Sequence, residues 1–251
     1  MKNENLYQYI LGIADNSLIL GQRMGELCGH GPSLETDIAC TNISLDLLGQ
    51  VRNYYQYAAK IAEDGRTEDD IAMLRQEREY RNVLLVEQPN ADFGYTMAKQ
   101  FLFDVYHFLF LNELQKSKDL TLSAIASKAI KEVSYHLRFS SDWIKRLGDG
   151  TEESHKRIQN AIKDLWTYTD ELFQLTETEK SIFKDGIGVE VSKLKEAYYV
   201  KVSEVLKEAT LEIPETKYFQ KGGKQGIHSE HLGYLLADLQ YMQRAYPNVE
   251  W

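Results

Sequence analysis

Four acidic side chains interrupt stretches of this sequence that are otherwise apolar. Asp15 stands between Leu11, Leu18 and Ile19, Asp46 within ISLDLLGQ, Asp104 within FLFDVYHFLFL, and Glu132 one turn before His136 in KEVSYHLRF. Between residues 101 and 111, nine of 11 residues are apolar or aromatic, and the exceptions are Asp104 and His107. Three apart on a helix, those two share a face, and a helix that is apolar all round is a buried one. A buried carboxylate is costly unless it is paired, hydrogen-bonded or metal-bound. One inward carboxylate from each of four helices outlines a carboxylate-bridged di-iron bundle. Such a centre also needs a Glu-x-x-His pair on two of the helices. Here the pattern breaks, because Gly49 stands three residues after Asp46 and Tyr135 three after Glu132. The one literal Glu-x-x-His, Glu152 to His155, follows GDGT at a helix start, where capping is the expected chemistry.

Other candidate sites are weaker. In KGGKQGIHSEHLG, the glycines with Lys221, Lys224, His228 and His231 could cradle a phosphate at the last helix's N-terminus or pack on a partner. The Walker spacing is missing, and His228 and His231 have no third ligand nearby. Sixteen tyrosines are many, and Tyr54, Tyr55, Tyr57, Tyr198, Tyr199, Tyr234, Tyr241 and Tyr246 could line an interface or simply pack in the core. No GxSxG and no Cys–His nucleophile arrangement is present. Cys28 and Cys40 flank a turn at Gly31-Pro32 without forming a recognisable disulfide framework.

The elements that must position these residues read as helices. Apolar residues recur at three- and four-residue steps from Leu6 to Gly21, which predicts a first long helix ending near residues 28–31. Pro32-Ser33 starts a second, over 33–63, and a short charged segment follows at 68–81. After the break at Pro89, helices are expected over 92–116, 119–147 and 151–175. FKDGIGVEV reads as loop or a short extended piece, 191–209 as helix, 210–227 as loop and 229–244 as a final helix. Long helices joined by short turns describe an antiparallel bundle. The expectation is one all-α domain over residues 1–251, a four-helix bundle with additional C-terminal helices.

Composition narrows the function. The net charge is −9 at pH 7, with 38 acidic against 29 basic side chains, which repels phosphate backbones and anionic lipid. Neither nucleic acid nor membrane is an expected partner. The first residues show no signal-peptide pattern and no run of 18 apolar residues occurs, so a cytoplasmic location is expected.

Six segments carry a more specific signal. GELCGHGPSLETDIA, NISLDLLGQVRN, LLVEQPN, AIKEVSYHLRFS, WIKRLGDGT and GGKQGIHSEHLG follow in this order over nearly the whole chain. Together they resemble the non-catalytic, ferritin-like subunits of bacterial phenylacetyl-CoA 1,2-epoxidase complexes. The resemblance implies a ferritin-like fold and a structural role beside a related catalytic subunit that carries the di-iron site and binds the CoA thioester. It also implies self-association within the complex, further subunits, and an NADPH-dependent reductase as an indirect partner, with no cofactor in this chain. On that reading Asp15, Asp46, Asp104, His107, Glu132 and His136 form a hydrogen-bond and ion-pair network in a vestigial metal site, and Gly49 and Tyr135 mark the lost ligands. The alternative is an autonomous di-metal carboxylate oxidase or oxygenase with an atypical ligand set, built on Asp104, His107, Glu132 and His136. A third reading is a homodimer that binds a ligand between its helices. A polar stripe such as Asn42, Asp46, Gln50 and Asn53 could also be no more than a wetter helix face.

Overall fold

The computed structural model describes residues 3–247 and residue 249. The regular structure of the described residues is helical, with no strand among them. Four long helices make the frame: α1 (Glu4–Gly25), α2 (Leu34–Ala62), α5 (Phe93–Leu114) and α6 (Leu120–Gly148). Their starts follow from side-chain caps, which satisfy amides that have no intrahelical partner. Ser33 accepts from the Thr36 amide, Asp92 from the Tyr95 amide, and Asp119 from the amides of Thr121 and Leu122. α2 ends where Glu63 turns left-handed at φ 51°.

Helix α1 packs on α2, and α5 on α6. Between the two pairs, Asp46 meets His136 and Gln50 meets Glu132, so α2 and α6 run antiparallel. The order is therefore up, down, down, up. That order requires residues 63–92 to travel the length of the bundle from the end of α2 to the start of α5. Two tight hairpins and one long crossover are the ferritin-like arrangement. The crossover holds two short helices, α3 (Glu68–Met73) and α4 (Leu84–Glu87).

Four further helices cover the frame: α7 (Glu152–Leu165), α8 (Glu177–Lys184), α9 (Lys195–Glu208) and α10 (Glu230–Ala245). Buried apolar side chains from Tyr7 to Leu236 form one cluster. Two expectations are corrected. The helix expected to reach residue 175 ends at Leu165 and gives way to two 3-10 turns, 166–168 and 170–173, that bury Trp166, Leu172 and Phe173. The stretch read as loop or extended begins with the last two residues of α8, Phe183 and Lys184, a helix started by a capping box between Thr176 and Glu179. Among the described residues no helix is long and apolar enough to cross a membrane.

Candidate functional site

Helix α5 is buried nearly all round, and its two polar interruptions are buried with it. Asp104 is fully buried and accepts from Gln100 Nε2 at 2.7 Å and from Ser140 Oγ of α6 at 2.7 Å. Burial pushes its carboxyl up to about 7, against the opposing influence of His136, Ser140 and Gln100. His107 is 3% exposed, and burial, reinforced by the nearby His136, lowers its imidazole to about 3. Its Nδ1 has no hydrogen-bond partner. His136 is fully buried, and its Nε2 lies 3.0 Å from Asp46 Oδ2.

Asp46 and Glu132 do not point into the bundle interior. Both are half-buried on the seam between α2 and α6, and Asp46 is 38% exposed. Each is engaged across that seam, Asp46 by His136 and Glu132 Oε2 by Gln50 Nε2 at 2.9 Å. The reason is register. The buried stripe of α2 runs through Ile43, Leu47, Gln50 and Tyr54, and that of α6 through Ala129, Val133, His136 and Ser140. Positions one residue from a stripe turn by about 100°. Gly49 and Tyr135 consequently face outward, Gly49 exposed and Tyr135 39% exposed.

Asp15 belongs to another cluster. It is fully buried, and both oxygens are bonded by Arg75, from Nη1 at 3.0 Å and Nη2 at 2.5 Å. Tyr55 Oη donates to it at 2.5 Å and the Arg81 amide at 2.8 Å. Burial alone would lower Arg75, but the charge and hydrogen bonds of Asp15, together with Tyr55 and Tyr80, outweigh it and hold the guanidinium above its ordinary value.

These donors do not fit a di-metal carboxylate centre. Such a centre needs carboxylates converging from all four helices. Here Asp15 is neutralised by Arg75, Asp46 and Glu132 are used on the seam, and only Asp104 with His107 and His136 shares the interior. Among the described residues, no three His, Cys, Asp or Glu side chains are placed to hold one metal ion.

In the glycine-rich loop, of the two readings the phosphate one is not met, because protein carboxylates take the place a phosphate would. Glu171 Oε1 accepts from the amides of Gly222 and Lys224 at 2.8 and 3.4 Å, and its Oε2 from the Leu84 amide at 2.8 Å. At the start of α10, Glu87 Oε1 accepts from the Ser229 amide at 2.7 Å. Glu87 Oε2 meets His228 Nδ1 at 2.9 Å and the Asn82 side-chain amide at 3.0 Å. Burial alone would lower His228, yet the hydrogen bond and charge of Glu87 outweigh it and raise the imidazole. At Gly226, φ is +78° and a side chain would strike the Arg78 carbonyl, so only glycine fits.

Sequence reasoning missed Glu87, Glu171 and Arg75, and it missed Lys99. That lysine is fully buried, donates to the Gln88 carbonyl and Asn90 Oδ1, and is lowered by burial to about 7. The available signal was a charge inside an apolar run, as in LLVEQPN. Tyr54, Tyr55 and Tyr198 are core, whereas Tyr234, Tyr241 and Tyr246 are exposed. Cys28 is exposed, Cys40 is buried, and both are free thiols. His155 Nδ1 sits 2.7 Å from the Gly148 carbonyl, and Thr151, not Glu152, caps α7.

Comparison with known proteins adds two findings. The family model described as phenylacetic acid catabolic protein matches residues 1–251. The chain is also 47% identical over 246 residues to one of the subunits of the 1,2-phenylacetyl-CoA epoxidase of Escherichia coli (strain K12), covering 98% of this chain and 99% of that one.

Proposed function

The chain belongs to the phenylacetic acid catabolic protein family, and from that premise we propose that it is the structural, non-catalytic subunit of a phenylacetyl-CoA 1,2-epoxidase. In this role it supports a di-iron catalytic subunit in aerobic phenylacetate breakdown, in the cytoplasm. The observation that carries the subunit role is the 47% identity over essentially the full length of both chains. The non-catalytic reading is supported by the donor set. Asp15 already has a guanidinium as its counter-charge, and Asp46 and Glu132 are bonded across a helix seam. The cofactor is assigned to the partner, and this chain's share is the rigid helical surface on which the partner sits. The remaining partners on this reading are a second copy of the chain, further subunits and, indirectly, a reductase.

The test is co-expression with the catalytic subunit followed by size analysis and metal content. A stable complex burying well above ~2,000 Å², as obligate interfaces do, together with negligible iron in this chain alone, is the expected result. Absence of association at micromolar concentration removes the subunit role. Stoichiometric iron in the isolated chain removes the non-catalytic one.

A further inference from the structure

Between α1, α5 and α8 the molecule is not filled. A cavity of about 570 Å³ opens there, within the size range of small-molecule sites. One wall is aromatic: the Phe103 and Tyr106 ring centroids are 5.9 Å apart, and Tyr106 stacks on Phe110 at 5.7 Å. His107 lines the same wall. Opposite, Gly12 of α1 leaves the wall open, since a Cβ there would meet nothing nearer than 3.8 Å.

Two acids, Glu177 and Glu179, and two bases, Lys224 and Arg81, line the cavity. Glu179 is neutralised by Lys224 at 3.0 Å, and Glu177 by Lys180 at 2.7 Å. Arg81 also lines the cavity, and its side chain has no acidic partner among the described residues. Its Nη1 donates only to the carbonyls of Arg78 and Tyr80. Asp15 nearby is already held by Arg75 and bonds only the backbone amide of Arg81. A guanidinium without a counter-charge, at an apolar cavity in a chain of net charge −9, is a receptor for an anionic head group.

We propose that this cavity binds a small organic acid, with a flat apolar body against Phe103, Tyr106 and Phe110 and its carboxylate on Arg81. The assignment goes beyond the subunit role and does not depend on it, because it concerns the isolated chain. Isothermal titration calorimetry on the full chain tests it, with 1-naphthylacetate as probe and the uncharged 2-(1-naphthyl)ethanol as control. The acid is expected to bind one per chain and about tenfold more tightly than the alcohol, the order of difference one charge-assisted contact makes. Arg81→Gln should abolish that preference, and Arg81→Lys should restore part of it. Gly12→Leu, which fills the cavity from a helix that gains from losing glycine, should bind neither probe while remaining folded. No heat of binding at millimolar probe overturns the proposal. Equal affinity for acid and alcohol, or undiminished binding by Gly12→Leu, does so as well.

Discussion

Arg75 grips both carboxylate oxygens of Asp15, at 3.0 and 2.5 Å, in a place where neither side chain is more than 4% exposed. The pair ties α1 to the crossover, and Tyr55 brings in α2 by donating to Asp15 and accepting from Arg75 at 2.8 Å. The guanidinium also lies 4.1 Å over the Tyr80 ring. Removing one partner leaves the other charge buried and alone. Asp15→Ala should cost about 3–5 kcal/mol, read from the urea midpoint. The double variant Asp15→Leu with Arg75→Met should lose markedly less, and equal losses would contradict the pairing.

Asp104 makes stability depend on pH. Its folded pKa of about 7 lies above the ordinary value near 3.9 of an unfolded carboxyl. The folded state then holds a proton that the unfolded state has released, so stability is complete below about pH 4 and falls as pH rises to about 7. Asp104→Asn removes the titration. Relative to wild type it should gain about 2–4 kcal/mol between pH 4 and pH 8, seen in thermal melts across that range. Parallel curves for the two proteins would show that Asp104 does not titrate there.

His228 works with the same sign through a different group. Its pKa is raised in the folded state, so the stabilisation from Glu87 is fully present below the ordinary His value near 6.5. It is lost as pH rises through the elevated folded value. His228→Gln should therefore cost about 1–3 kcal/mol at about pH 6 and progressively less at alkaline pH. A cost independent of pH would mean that the imidazole is neutral throughout.

The register of α2 and α6 gives a prediction about metal. Because Gly49 and Tyr135 face outward, writing His at both positions restores the sequence motif without restoring a site. The Gly49→His/Tyr135→His variant, expressed with supplemental iron, should hold no more metal than the parent by mass spectrometry. Two irons per chain would overturn the register argument.

Much of the fold is legible in the sequence because caps and periodicity are local. Ser33, Asp92 and Asp119 start helices by bonding amides two or three residues away. α8 is equally marked by Thr176 and Glu179, although the glycines of DGIG just beyond it give the stretch the look of a loop. The end of α7 at Leu165 is not local: it answers to the burial of Trp166, Leu172 and Phe173. The candidate site is legible only in part. Asp104 and His107 stand out because their helix is apolar all round, whereas Asp46 and Glu132 differ from an inward position by a single residue of register. Arg75 and Glu171 find their partners 60 and 87 residues away, Asp15 and the Leu84 amide, and no window on the sequence joins them.

The glycine-rich loop carries a consequence for the order in which the molecule is made. Glu87 is fully buried, yet its partners His228 and Ser229 lie 141 and 142 residues further along, and the Arg23 guanidinium waits for the His231 carbonyl. A chain emerging from the ribosome assembles its early helices first, at about 5–20 residues per second. For several seconds the crossover must therefore stand with Glu87 lacking His228 and Ser229. The segment that starts α10 arrives as a latch, and until it closes, the nascent bundle keeps one side open.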